Sequence, residues 1–176
     1  MQTILPIQTE HASATTQRLL DGASGGTSNM LRTMAQSPNA LEGYLQFKNA
    51  LAGGMLPPRI RQQIALAVAQ VNLCEYSLTE HAHRAAELGL TPEEITESRA
   101  ARSRDWGADA VLRFAHDLAA RRGEFSVIEL RECGYSDADI IEVMAHVALN
   151  VFENYVNDVA LTELDFPKLQ RAVRAA

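Results

Sequence analysis

The sequence predicts an all-α fold, on three observations. Apolar residues recur at three- and four-residue steps along most of the chain. No segment sustains the alternation of apolar and polar residues that marks a half-buried strand. Helix-start signals, with Ser or Thr before Pro or three residues ahead of an acid, punctuate the periodic stretches. Composition points the same way: 47% of the 176 residues are hydrophobic but only 6% aromatic, and Ala and Leu are abundant.

Residues 1–10 read as an irregular arm, and His11 to about Asp21 as a short helix with Leu19 and Leu20 on its apolar side. Gly22-Ala23-Ser24-Gly25-Gly26-Thr27-Ser28 breaks that helix as a loop. Too little chain precedes the loop to build a core, so residues 1–27 are an arm on a single helical domain spanning 28–168, and 169–176 are a tail. Asn29 to Gln36 supplies one or two helical turns. Ser37 and Pro38 then open a helix as N-cap and first residue, with Leu41, Tyr44, Leu45, Phe47 and Leu51 near a 3.6 period and Gly53-Gly54 at its end. Pro57-Pro58 starts the next, in which Ile60, Ile64, Ala67, Val68 and Val71 bury one face.

A break near Asn72 separates that helix from one running from Cys74 to Leu88, closed by Gly89 in a left-handed cap. Thr91-Pro92-Glu93-Glu94 is a capping box with Pro at the first position. Ser103 begins a helix to about Arg122, where Arg121 and Arg122, just before Gly123, set cations against the dipole. Ser126-Val127-Ile128-Glu129 is a second capping box, and Gly134 ends that short helix. Ser136-Asp137 opens the longest helix, to about Leu161, with Ile140, Val143, Met144, Val147, Val151 and Tyr155 as its buried stripe. Ile141, Ala148, Leu149 and Phe152 add apolar surface on other faces, which predicts a central helix or a subunit interface.

The net charge of −6 and the absence of a basic stripe argue against a nucleic-acid partner. No apolar run reaches the roughly 18 residues of a membrane span, and the opening Met1-Gln2-Thr3-Ile4-Leu5-Pro6 has no charged region or long apolar run of a secretory signal. Two cysteines in a chain this long make no disulfide framework. The expectation is a soluble, cytoplasmic chain with reduced thiols.

Chemistry concentrates in Asn72-Leu73-Cys74-Glu75-Tyr76-Ser77-Leu78-Thr79-Glu80-His81. With Cys74 in a first helical turn, free N–H groups and the dipole would stabilise its thiolate and lower its pKa. Ser77 lies three residues on, and His81 four beyond, so a thiol, a hydroxyl and a base share one face. A lone buried Cys is also an ordinary small hydrophobe, a lone His an ordinary packing residue, and a helical Ser an ordinary back-bonder; spacing leaves both readings open. His83 falls on another face, so a metal site from Glu80, His81 and His83 is poorly supported. Cys133 reads as incidental, or as a resolving thiol if the fold brings it to Cys74; His116 and Asp117 as surface or interface residues; His146 as packing or a contact of the site; and Trp106 as a packed anchor of its helix.

Leu56 to His81 reads LPPRIRQQIALAVAQVNLCEYSLTEH, Ala85 to Ile95 reads AAELGLTPEEI, Gly134 to Ala160 reads GYSDADIIEVMAHVALNVFENYVNDVA, and TELDFP ends at Pro167. In that order these stretches resemble the carboxymuconolactone decarboxylase superfamily, in its AhpD-like, peroxidase-related branch, over roughly residues 28–168. The resemblance implies an AhpD-like helical bundle that forms a homo-oligomer, trimer or hexamer. It implies a thiol-dependent alkylhydroperoxidase or disulfide reductase, with no bound cofactor or metal, reduced by an external thiol or dithiol such as a lipoyl group or a thiol donor protein. The family site is a C-x-x-C pair followed by a His, with a relay Glu on the preceding helix. Cys74 matches the first Cys, Ser77 stands where the peroxide-reactive second would be, His81 matches the His, and Gln62 stands at the relay Glu. Glu153, Asn154 and Asn157 resemble a polar stretch of the family with no assigned role.

Two departures meet at this site. A serine cannot form a disulfide, so dithiol exchange within the motif is impossible. Gln62 cannot take up a proton as a carboxylate does. Peroxidase activity is then lost on a retained scaffold or small-molecule binding protein, or carried by Cys74 alone through a sulfenic acid, or Ser77 is an engineered change that leaves Gln62 unexplained. A decarboxylase-like reading keeps His81 as acid or base. A Ser77–His81 hydrolase lacks a visible orienting carboxylate.

Overall fold

Proline and cap residues cut the chain into helices much as the sequence predicts. The computed structural model describes residues 2–23, 26–121 and 125–167. Ser24 and Gly25 of the glycine-rich loop, the helix end expected at Arg122-Gly123, and the tail lie outside the described residues. Among the described residues there are nine α-helices and no strand: α1 (Ala14–Asp21), α2 (Asn29–Met34), α3 (Pro38–Ala52), α4 (Pro58–Asn72), α5 (Glu75–Glu87), α6 (Pro92–Arg99), α7 (Trp106–Ala120), α8 (Ile128–Glu132) and α9 (Asp137–Ala160). No helix among them is long and apolar enough to cross a membrane.

Caps explain most boundaries. Ser37 accepts from Ala40 N–H with Pro38 at the first turn, Thr91 and Glu94 form the reciprocal box, and Gly89 takes φ +80° after α5. Four starts differ from expectation, that of α5 by one residue, at Glu75 rather than Cys74. α1 begins at Ala14 rather than His11, because Ser13 Oγ accepts from Thr16 N–H at 3.1 Å and Thr9–His11 forms a separate 3-10 turn. α7 is capped by Asp105, which accepts from Ala108 N–H at 2.8 Å, while Ser103 spends its own N–H on Asp109. α8 has no reciprocal box: Arg113 holds the Glu129 carboxylate at 2.9 Å, so it cannot turn back to the cap. Trp106 heads α7 on its outer side, 60% exposed, and does not anchor it.

The central element is α4. Every residue from Ile64 to Ala69 is buried, and α4 packs against α5, α6, α7 and α9. The sequence showed one buried face there; four of the seven residues from Ile64 to Gln70 are Ala or Val, small enough for neighbours to close in on all sides. One core lies between α4, α7 and α9, around Ile64, Val68, Val111, Leu112 and Val143. A second gathers Leu20, Met30, Leu41, Tyr44, Cys74 and Leu149, so the N-terminal helix packs into the same body. The arm is pinned by Thr3 N–H to Ala160 O at 2.9 Å and Ile7 N–H to Arg32 O at 3.1 Å.

The stripe expected on α9 holds for Ile140, Val143 and Val147 but not for Met144 or Tyr155, which are exposed. The helix is buried instead along His146, Asn150, Glu153 and Asn157. Ile141, Phe152, Tyr155 and Val159 point outward, 63%, 40%, 62% and 66% exposed.

Candidate functional site

The site forms where α4 hands over to α5. Leu73 adopts φ 57°, a left-handed turn that a branched residue rarely takes, and Cys74 N–H reaches back to Ala69 O at 3.0 Å. Cys74 is therefore the residue before α5, not in its first turn, and its side chain caps no N–H. The expected lowering of its pKa does not prevail. Cys74 is fully buried, and burial pushes its thiol up to about 11, outweighing the lowering by its contacts with Ser77. The thiol donates to Ser77 Oγ at 3.4 Å, and Asn157 Nδ2 donates to the same oxygen at 3.3 Å.

His81 follows on α5, 7% exposed, with both ring nitrogens engaged. Nδ1 lies 3.0 Å from Gln62 Oε1 on α4, and Nε2 lies 3.2 Å from Glu153 Oε2 on α9. The structure thus pairs Cys74 with Ser77 and His81 with Gln62, but no hydrogen bond joins His81 to the Cys74–Ser77 pair. Tyr44 OH donates to Glu153 Oε1 at 2.5 Å, and Lys48 Nζ donates to Tyr44 OH at 3.0 Å. Burial would raise Glu153, yet the hydrogen bond from His81 and the charge of Lys48, with the Tyr44 hydroxyl, hold its carboxyl below the usual range. Burial and the Glu153 charge push the Tyr44 phenol well up.

A cavity of about 320 Å³ opens on this pair, lined by Gln62, His81 and Glu153 with Lys48, Arg61 and Arg84. Cys74 and Ser77 do not line it. Arg84 is tied to Glu80 at 2.8 Å. His146 also lines the cavity; burial, aided by Arg61, pushes its imidazole down to about 4.

Sequence reasoning missed Glu153, Tyr44, Lys48 and Arg61. A signal for the first existed: His146, Asn150, Glu153 and Asn157 repeat at steps of four, three and four, a polar stripe on an otherwise apolar helix, and all four are buried. The other sequence candidates fall elsewhere. Cys133 packs against the α4–α7–α9 core while Cys74 belongs to the second, and both are free thiols. His83 pairs with Glu87 at 3.9 Å, and His116 with Asp117 at 3.0 Å near the surface. Among the described residues no cluster of His, Cys, Asp and Glu could hold a metal ion.

Residues 38–121 match the carboxymuconolactone decarboxylase family. No match to the chain is found among curated proteins. Among solved structures, an alkylhydroperoxidase AhpD core, a peroxidase-related protein from Ralstonia eutropha, is similar with TM-score 0.79 and 20% identity over 94% of both chains. A peroxidase-related protein from a Silicibacter species gives 0.77 and 20% over 92% of both. The debrominase Bmp8, in a cysteine-to-alanine form with 2,3,4-tribromopyrrole, gives 0.78 and 19% over 94% of this chain and 92% of that one. At these identities the likeness is one of fold, which is AhpD-like.

Proposed function

Because residues 38–121 match the carboxymuconolactone decarboxylase family, we propose that the protein uses this scaffold for acid–base chemistry on a small molecule, with His81 transferring the proton, Glu153 orienting it, and no dithiol cycle. One observation carries the reading: His81 and Glu153 line the cavity, whereas Cys74 is fully buried outside its lining. An ionised Glu153 only accepts hydrogen bonds, so Nε2 of His81 carries a hydrogen and Nδ1 is the working nitrogen. Gln62 suits that role better than a carboxylate. Its amide can face Nδ1 with oxygen or nitrogen, and a bound molecule displaces it for the loss of one neutral hydrogen bond, about 0.5–1.5 kcal/mol. A positioned acid or base of this kind contributes about 10²–10⁴-fold.

The Cys74–Ser77 contact favours a second reading, a single-thiol peroxidase. Cys74 sulfur would attack the hydroperoxide, break its O–O bond to give a sulfenic acid and an alcohol, and be reduced by a lipoyl group or a thiol donor protein. Burial and the raised thiol oppose it.

Two assays separate the readings. Cumene hydroperoxide is supplied with dihydrolipoamide to wild type, Cys74→Ala and Ser77→Cys; no consumption by wild type or Cys74→Ala is expected. Consumption by wild type that Cys74→Ala abolishes would install the peroxidase instead. In D2O, levulinate hydrogens next to the carbonyl wash out when a base removes them, followed by proton NMR. Exchange by wild type and its loss in His81→Ala is expected, and equal exchange in both sinks the acid–base reading.

We further propose that the chain is a homo-oligomer, joined through the outward face of α9. Ile141, Ala148, Phe152, Tyr155 and Val159 repeat there at steps of seven, four, three and four, the spacing of a helix–helix seam, and all are exposed.

A further inference from the structure

Part of the cavity wall makes no hydrogen bond to His81 among the described residues. Arg61 and Lys48 both line it, and among the described residues neither makes an ion pair with a carboxylate. Arg61 Nη1 donates to the carbonyls of Leu51 and Ala52 at 3.2 and 2.8 Å, which anchors the guanidinium at the end of α3. Its Nη2 and Nε make no hydrogen bond among the described residues, so one edge of the fork is unspent. Lys48 donates to the Tyr44 hydroxyl and helps balance Glu153. His146 is 5% exposed, and its Nε2 is buried with no hydrogen-bond partner among the described residues; the Glu142 carboxylate stands 4.0 Å from it. A buried polar group without a partner calls for a ligand or an ordered water. Ala65 and Leu149 supply apolar wall.

We infer that the cavity is a carboxylate site: Arg61 fixes the carboxylate of a compact, mostly apolar molecule, Lys48 and His146 flank it, and Ala65 and Leu149 hold its body beside His81. The two acids on the wall do not oppose this. Glu153 is answered by His81 and Lys48, and Glu87 is 67% exposed at its side chain and pairs with His83. About 320 Å³ lies at the small end of the range for ligand cavities, roughly 300–1,000 Å³, which suits a molecule of benzoate size. The inference names the substrate class of the acid–base site and rests on that reading for its chemistry, though not for its binding.

Calorimetry with benzoate, benzamide and inorganic phosphate tests it. Benzoate is expected to bind with a millimolar or better Kd, at least about tenfold tighter than benzamide, since the charged group is the anchor. Arg61→Met is expected to lose about tenfold. Arg61 also holds the end of α3, so Lys48→Met and His146→Phe run beside it, each expected to lose about three- to tenfold with an unchanged circular dichroism spectrum. No benzoate binding, equal affinity for benzamide, or wild-type affinity in every folded variant overturns the inference. Phosphate displacing benzoate at equal concentration would mark a plain anion site and overturn it too. Binding is read without turnover, so benzoate bound as expected with no levulinate exchange sinks the acid–base reading alone, and exchange retained with no benzoate binding sinks the carboxylate anchor alone.

Discussion

Replacing His146 by Phe should change how the protein responds to acid. Folded His146 is pushed down to about 4, chiefly by burial and then by Arg61, against the pulls of Glu142 and Glu153. In the unfolded chain it titrates near the ordinary value of 6.5. Between those values the unfolded state binds the extra proton, so stability rises with pH there. His146 therefore contributes its full share above pH 6.5 and loses it as pH falls towards 4. The gap between 6.5 and about 4, at about 1.36 kcal/mol for each factor of ten, corresponds to roughly 3 kcal/mol. Urea unfolding at stepped pH from 7.5 to 4 reads this directly. With a urea slope of about 2 kcal/mol per molar, the wild-type midpoint should fall by about 1.5 M more than that of His146→Phe. Parallel loss of stability in the two proteins refutes the reasoning, as does an imidazole proton resonance of His146 that titrates near 6.5.

Tyr44→Phe removes the hydroxyl that bonds Glu153 at 2.5 Å, and urea unfolding should show a loss of about 1–3 kcal/mol. Glu153→Gln breaks a buried pair and should cost about 3–5 kcal/mol in the same assay, together with the levulinate exchange. Peptide mapping after native iodoacetamide treatment should find Cys133 labelled first and Cys74 only in urea, because Cys74 is fully buried with its thiol near 11. Tyr155→Lys should shift light-scattering mass towards the monomer while helicity is kept; an unchanged mass would remove α9 from the seam.

Local signals were easy to read because they act locally. Ser37-Pro38, Thr91 with Glu94, Gly89 and Ser136 each set a helix end through neighbours within four residues. Where a distant residue competes, the local reading fails: Arg113 takes Glu129 from its own cap. The run from Cys74 to His81 was found on one helix face, but α5 starts one residue later than expected, and the burial of Cys74, which no local spacing shows, outweighs the lowering by Ser77 and raises its thiol. Glu153 was legible only as part of a polar stripe, since its partners come from α3 and α5, 109 and 72 residues away. Lys48 and Arg61 carry no spacing signal; only the folded chain sets them beside the imidazole.

The left-handed residue at Leu73 decides which reagents can find this cavity. It turns the chain so that the Cys74 sulfur is buried in the cluster that holds Met30, Leu41 and Tyr76, bonded to the Ser77 hydroxyl. A chloroacetamide or acrylamide warhead that enters the cavity meets a ring nitrogen, an amide, an ammonium and a guanidinium, and no thiol. Screens that enrich cysteine adducts would pass the cavity over. Sulfonyl fluorides and epoxides, which take histidine and lysine, are the electrophiles to which it is open.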